Sequence, residues 1–402
     1  MLRYEMELAR STCRLVAMDE QHFVGESSAA AVIEPGVARA RWWHALPNGK
    51  VHCDLCPRHC KLKEGQRGFC FVRENRAGEL VMTSYGRTSG FCVDPIEKKP
   101  LNHFYPGSSV LSFGTSGCNL GCRFCQNWHL SHASQGDRIQ GKALPDEVAD
   151  AAVDAGCKSV AFTYNEPIIF AEFAIDAAQA CRRRGIKTVA VTAGYISPKA
   201  RGAFFGAMDA VNVDLKAFSE RFYRKLCFAH LEPVLDTLAW IRRESTTWLE
   251  VTTLVIPGEN DDPAELRRLS AWCARHLGTE TPLHFTAYRP AFRRVAWHEA
   301  ASRPTPLSTL DLARSIACEE GMKHVYTGNV RDIVGQSTYC VGCGAMVVER
   351  VGYEVGALGI DVEGRCEACG RVVAGCFDGG FSSGGARACE GEKARTRRWL
   401  GL

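Results

Sequence analysis

The sequence predicts an α/β protein built on a partial barrel of about six β-α repeats. Three observations predict it. Strand-like and helix-like runs alternate between Ser109 and Tyr326. Proline opens two of the helical runs (Pro145, Pro263) and glycine closes four (Gly156, Gly185, Gly278, Gly321), the usual asymmetry of helix ends. A cysteine triplet follows the first strand directly, at the carboxyl end where ligands of such folds bind. An open doubly wound sheet would share the alternation; the run of repeats favours the partial barrel.

Taken in order, residues 1–38 show no periodicity and are expected to be a poorly ordered extension, with Cys13 unassigned. Residues 39–104 form an amino-terminal cysteine-rich segment. Its knuckle, HCDLCPRHCKLKEGQRGFC, places Cys53, Cys56, Cys60 and Cys70 in the spacing C-x2-C-x3-C-x9-C. Four thiolates on so short a stretch could close a zinc site or hold an auxiliary iron–sulfur cluster, with His52 and His59 as substitutes for one ligand.

The barrel is expected over 105–335. Its strands read as Ser109–Phe113, Lys158–Thr163, Lys187–Thr192, Ala210–Leu215, Thr247–Ile256, Pro282–Ala287 and Lys323–Tyr326. Its helices read as Pro145–Ala155, Ile168–Arg183, Glu232–Arg243, Pro263–His276 and Leu307–Glu320. In the loop after the first strand, GTSGCNLGCRFCQNW, Cys118, Cys122 and Cys125 are spaced C-x3-C-x2-C. Three thiolates suit a [4Fe–4S] cluster whose fourth iron keeps an open position; a structural metal loop or three reduced thiols is the plainer alternative. Phe124 could stack on a flat ligand. The later strands end in TYNEP, VTAGY, DLKAF and AYRPAF. There Glu166 could accept from an ammonium, and Thr192 and Asp214 offer further oxygens; each could equally be a helix cap or loop polar group.

After residue 335 the alternation stops. Cys340, Cys343, Cys366 and Cys369, spaced C-x2-C-x22-C-x2-C around a β-prone stretch, predict a structural zinc ribbon over 336–378. The Gly/Ser-rich and basic tail, 379–402, is expected to be flexible. Of the 20 cysteines, eleven fall in the three clusters, and Cys157, Cys181, Cys227, Cys273 and Cys318 are expected as small buried apolar residues. So many thiols fit a reducing, cytoplasmic compartment. Neither a membrane span nor a secretion signal is read, and a net charge of +4 without a basic aromatic face argues against nucleic acid.

C-x3-C followed by x-aromatic-C resembles the signature of radical S-adenosylmethionine (SAM) enzymes. From about Arg39 to Cys369 the chain is similar to the AmmeMemoRadiSam-system radical SAM proteins, relatives of the pyruvate formate-lyase activating enzymes. The matching stretches are CDLCPRHC, GFC, IEKKPLNHFYPG, GTSGCNLGCRFCQNW, TYNEP, VDLKAF, VTTLVIPGEND, CVGCG and CEACG. The resemblance implies a partial TIM-like barrel and a [4Fe–4S] cluster on Cys118, Cys122 and Cys125, with SAM on its open iron and Phe124 near adenine. It sets Asn165 and Glu166 where wider relatives contact the SAM amino group, and Thr192 and Asp214 in the pocket lining. Ala193 stands where asparagine is common and Arg289 where histidine is usual; Arg289 could reach the SAM ribose or carboxylate. A low-potential donor such as flavodoxin or ferredoxin, and a glycyl residue of a partner protein as substrate, are implied as well. Radical modification of a small molecule or peptide is the second reading, and a non-catalytic metal-binding interaction module the third.

Overall fold

The computed structural model describes residues 29–132, 141–290 and 302–377. Most of the expected extension, Cys13, Cys389 and the tail lie outside the described residues.

Eight strands make the central sheet: β1 (Cys92–Pro95), β2 (Ser109–Phe113), β3 (Ser159–Phe162), β4 (Lys187–Thr192), β5 (Ala210–Asp214), β6 (Trp248–Val255), β7 (Leu283–Ala287) and β8 (Val325–Gly328). Their order in space is their order in the chain. β2 to β8 run parallel, and β1 lies antiparallel along β2, Cys92 opposite Ser112. Six helices carry the crossovers: α1 (Pro145–Asp154), α2 (Ala171–Arg183), α3 (Pro198–Phe205), α4 (Glu232–Glu244), α5 (Pro263–His276) and α6 (Leu307–Glu319). The sheet has none of the reversals of strand order that mark a doubly wound sheet. β3 and β7 are buried at every residue, as parallel strands covered on both faces must be.

Local chemistry sets the ends. Pro145 and Pro263 start α1 and α5, where Glu147 accepts from Leu144 N and Asp262 from Glu265 N. The sequence predicts no helix between β4 and β5, yet α3 forms there. Gly202 interrupts its apolar period, and burial of Phe204 and Phe205 supplies what propensity does not. Cys157, Cys181, Cys227 and Cys273 are buried as expected, whereas Cys318 is exposed, on the outer side of α6 beside Glu319.

Order begins before the boundary expected at residue 38. Val32–Glu34 and Val37–Arg39 join Glu79–Met82 and Arg73–Arg76 in a four-stranded sheet. Two buried carboxylates of α2 anchor this segment. Asp176 accepts from Ala30 N, Arg41 Nη2 and Tyr85 Oη; Glu172 accepts from Arg41 N and, through both oxygens at 2.7 and 2.6 Å, from Arg73.

The carboxy-terminal module is a three-stranded antiparallel sheet of β9 (Thr338–Tyr339), β10 (Met346–Val351) and β11 (Glu354–Leu358) with its own small core. The fully buried Arg350 of β10 fastens it to the central sheet. Arg350 donates to Asn102 O at 2.6 Å and Thr338 Oγ1 at 2.7 Å, and its Nε lies 3.6 Å from the Glu97 carboxylate. Thr338 bonds Tyr326, Tyr326 bonds His103 Nε2, and His103 Nδ1 donates to Ala374 O. Burial holds His103 neutral, its pKa down to about 3. Glu250 completes this floor, accepting from Asn102 N, His103 N, His284 and Trp248. Tyr326, Glu250 and His284 all stand near the amino ends of their strands, so the module docks on the end of the sheet opposite the cysteine triplet. Among the described residues, no helix is long and apolar enough to cross a membrane.

Candidate metal and cofactor centre

The triplet loop leaves β2 at Phe113 and is shaped by backbone contacts from three directions. Gly117 N donates to Leu130 O, Gly121 N to Cys227 O, and Arg123 N to Leu226 O. Asn165, just past β3, clamps it with both ends of one amide: Oδ1 accepts from Thr115 N at 3.0 Å and Nδ2 donates to Gly117 O at 2.9 Å. A β-carbon at Gly117, where φ is +90°, would lie 2.0 Å from the Cys70 carbonyl oxygen. Glycine there lets the amino-terminal segment lie directly on the loop.

Cys122 is buried, and Cys118 and Cys125 are half-buried. Leu120 N donates to Cys118 Sγ at 3.4 Å, and Cys125 Sγ lies 3.1 Å from Ser131 Oγ. Among the described residues, two groups of three or more Cys, His, Asp or Glu side chains bring all their ligand atoms within 4.8 Å of one another. The triplet belongs to neither, so its three sulfurs do not all lie within 4.8 Å of one another. That spread suits thiolates bonded to three different irons and does not suit one shared ion. The donor set therefore fits the cluster.

Glu166, 3% exposed, lies beside the loop. Its Oε1 accepts from Ile168 N at 3.2 Å and from the Thr192 hydroxyl, and its Oε2 from Ala193 N at 2.8 Å. It thus caps the turn at Pro167–Phe170 and ties β3 to the end of β4. Burial raises its carboxyl to about 7, against the pull of Thr192, Ala193 and Ile168. Asp214, ending β5, pairs with Lys216 Nζ at 2.9 Å. Burial works against the Lys216 charge, but Asp214 and the thiols of Cys122 and Cys227 hold its pKa well above the usual lysine range. A hydrogen bond from Cys227 lowers Cys122, with Lys216 acting in the same sense.

The structure thus brings together Cys118, Cys122, Cys125, Asn165, Glu166, Thr192 and Asp214 at the carboxyl ends of β2 to β5. Phe124 is buried against Phe222, ring centroids 5.5 Å apart. Arg289, past β7, is exposed; its Nη2 donates to Asn329 O, and its own carbonyl accepts from Gln126 next to Cys125. The sequence reading assigned no role to Lys216 or Cys227. Lys216 stood in the quoted DLKAF run; Cys227 has no neighbouring cysteine to mark it.

Cys53, Cys56, Cys60 and Cys70 line a single cavity with Arg73 and Asn119. Cys340, Cys343, Cys366 and Cys369 form one of the two tight groups, with Cys340–Cys369 and Cys343–Cys366 sulfurs 3.6 and 3.7 Å apart. Zn–S bonds of ~2.3 Å impose sulfur separations of about 3.8 Å on a tetrahedron, so these four fit a single ion.

Residues 113–269 match a family described as the Radical SAM superfamily. Over 335 residues, 83% of this chain and 98% of the relative, the chain is 40% identical to an uncharacterised protein of Methanocaldococcus jannaschii. A pyruvate formate-lyase 1-activating enzyme of Escherichia coli K12 is 24% identical over 188 residues, 46% of this chain and 75% of that one. A solved radical SAM methyltransferase from Sphaerobacter thermophilus overlays with a TM-score of 0.45 at 15% identity, covering 56% of this chain and 68% of that one.

Proposed function

The chain belongs to the Radical SAM superfamily, and from that premise we propose that Cys118, Cys122 and Cys125 hold a [4Fe–4S] cluster for reductive cleavage of SAM. The observation that carries this reading is the spread of the three sulfurs beside the buried Glu166 and the half-buried Lys216 at one strand-end rim. With SAM bound, such a cluster supplies one-electron cleavage of the sulfonium to methionine and a 5′-deoxyadenosyl radical. The chain's own residues position and charge the site. Asn165 fixes the loop, so it acts on the cluster through Thr115 and Gly117. Glu166 keeps an acceptor direction for the SAM ammonium, with Thr192 holding it in place. Lys216 offsets the negative charge of the thiolates, and Asp214 holds Lys216. Phe124, packed on Phe222, bounds the adenine side, and Arg289 lies within reach of the ribose or carboxylate.

The 24% identity to activating enzymes supports hydrogen abstraction from a glycyl residue of a partner protein, with flavodoxin or ferredoxin as electron donor. A small molecule or peptide is the second substrate class. We read the one-directional sheet as a partial TIM-like barrel over 105–335, with the cysteine-rich segment before it and a zinc-binding ribbon on Cys340, Cys343, Cys366 and Cys369 after it. A cytoplasmic location fits the many free thiols.

The test is anaerobic. Reduced, iron-loaded protein is expected to release methionine and 5′-deoxyadenosine from SAM, and Cys118→Ala, Cys122→Ala or Cys125→Ala should each abolish this. Full cleavage by any of the three variants would remove the assignment. Following deuterium between candidate substrates and 5′-deoxyadenosine identifies the hydrogen donor.

A further inference from the structure

Three stretches of chain, far apart in sequence, meet over the triplet loop. Phe69, just before Cys70 in the amino-terminal knuckle, is 41% exposed, and Phe228, which follows the turn Tyr223–Cys227, is 46% exposed. Both rings bear on Gly121, the residue before Cys122: a β-carbon there would lie 3.3 Å from Phe69 Cζ and 3.2 Å from Phe228 Cδ2. Arg58 laces the three stretches together. Its guanidinium carbon stands 3.4 Å from the centre of the Phe69 ring, and its nitrogens donate to Asn119 O and Phe228 O. The exposed Arg123 stands 5.7 Å from the centre of the Phe228 ring. Phe228 has a φ of +55°, uncommon for a bulky residue, so its ring is displayed on strained backbone.

The proposed cleavage of SAM uses neither ring. Exposed apolar groups inside a charged surround have the anatomy of an interface. Here the surround is of one sign. Residues 58–71, 119–130 and 221–229 hold eight lysines and arginines against one glutamate, whereas the whole chain has 49 basic residues against 45 acidic. The sequence reading found no basic aromatic face, because these pieces are joined only in the fold. A second copy of the chain seated on this patch would set like charges against each other. The complementary partner is acidic.

We propose that the Phe69–Phe228 patch, rimmed by Arg58 and Arg123, is the docking surface of a small acidic one-electron carrier protein that reduces the cluster of the triplet.

This rests on the reading of the triplet as a cluster site. Electron-transfer encounters use small interfaces, below about 1,200 Å2, and are steered by opposite charge. Two rings with a basic rim suit such a brief contact. The rings lie on the residue next to Cys122, so a carrier seated there meets the backbone that holds the cluster. In the step itself one electron leaves the reduced carrier and takes the cluster from the 2+ to the 1+ state, and no bond forms or breaks between the proteins.

The experiment uses the full chain, iron- and sulfide-loaded anaerobically, as wild type, Phe69→Ser and Arg123→Gln. A purified flavodoxin and a purified acidic ferredoxin, each reduced beforehand, are the probes, and dithionite is the reductant that needs no docking. At least one carrier is expected to reduce the wild type, at a rate that falls as salt rises. Each variant should be reduced by that carrier about tenfold more slowly, while its dithionite-driven release of 5′-deoxyadenosine stays at the wild-type level. Equal carrier rates in wild type and both variants, a rate indifferent to salt, or no reduction by either carrier would overturn the proposal. The salt dependence of the wild type decides the matter where a variant does not fold. A labelled single-stranded oligonucleotide that binds wild type and not Arg123→Gln, with carrier rates unchanged, would assign the patch to nucleic acid instead. No SAM cleavage by dithionite-reduced wild type removes the proposed function; normal cleavage with unchanged carrier rates removes this inference alone.

Discussion

The Glu166 carboxylate accepts from Ile168 N, the Thr192 hydroxyl and Ala193 N, which leaves about one of its roughly four acceptor directions open. In Glu166→Gln the amide NH2 would face one of these donors, and a buried donor left unpaired costs about 1–3 kcal/mol of stability. If the open direction receives the SAM ammonium, affinity should fall about tenfold or more besides, a loss of ~1.4 kcal/mol at least. SAM binding and melting measured on one reconstituted sample separate the roles: lower melting with unchanged affinity would leave Glu166 a cap alone. The same residue predicts a pH dependence. Burial lifts its carboxyl from 4.5 to about 7, so the folded state holds this proton more tightly than the unfolded state does. Its contribution is complete below about 4.5 and is lost as pH rises through about 7. The melting difference, ligand-free wild type minus Glu166→Gln, should decline across that window, and a flat difference would contradict the shift. Glu166, Thr192 and Asp214 were legible in the sequence as polar residues at strand ends. Lys216 was not, because its significance lies in thiols delivered by other parts of the chain. Asn165 was read as a cofactor contact, and its amide also clamps the loop backbone at Thr115 N and Gly117 O.

The triplet loop and the amino-terminal segment behave as one element in two pieces. Gly117 and Gly65 both have positive φ, +90° and +68°, but a β-carbon at Gly65 would meet nothing within 4 Å. Gly65→Ala should therefore cost only the backbone strain, about 1–2 kcal/mol. Gly117→Ala would add a collision with the Cys70 carbonyl and should lower the melting temperature clearly further. Equal melting of the two variants would mean that the contact is soft. The loop itself could be read from cysteine spacing and its glycines. That Cys70 lies on it could not, since 46 residues of sequence separate them only nominally and no local pattern encodes the approach of two loops.

For the molecule as a whole, the sheet divides the labour by direction. Carboxyl ends of the strands carry the triplet and the amino-terminal knuckle, while amino ends carry the module fastened by Arg350. A chelator that strips the carboxy-terminal ion should raise hydrogen exchange over residues 338–377 and leave the brown absorbance of the triplet site intact; bleaching in parallel would contradict this separation. β-α alternation, punctuated by proline and glycine, made the parallel sheet and its helices legible. The docking of the module was hidden because Arg350, Glu97 and His103 look like ordinary polar residues until burial pairs them. Helix α3 was hidden for a related reason: packing, not propensity, makes it.

The hydrogen bond between His103 and Ala374 joins residues 271 apart in the chain. Synthesis at ~5–20 residues per second delivers Ala374 roughly 15–55 s after His103. For that interval the floor of the sheet has no lid, and before it ends the amino-terminal knuckle, the triplet loop, Glu166 and Lys216 have all been synthesised. Birth order thus runs from chemistry to closure: the metal-binding rim is complete in the nascent chain before the base of the sheet can be sealed.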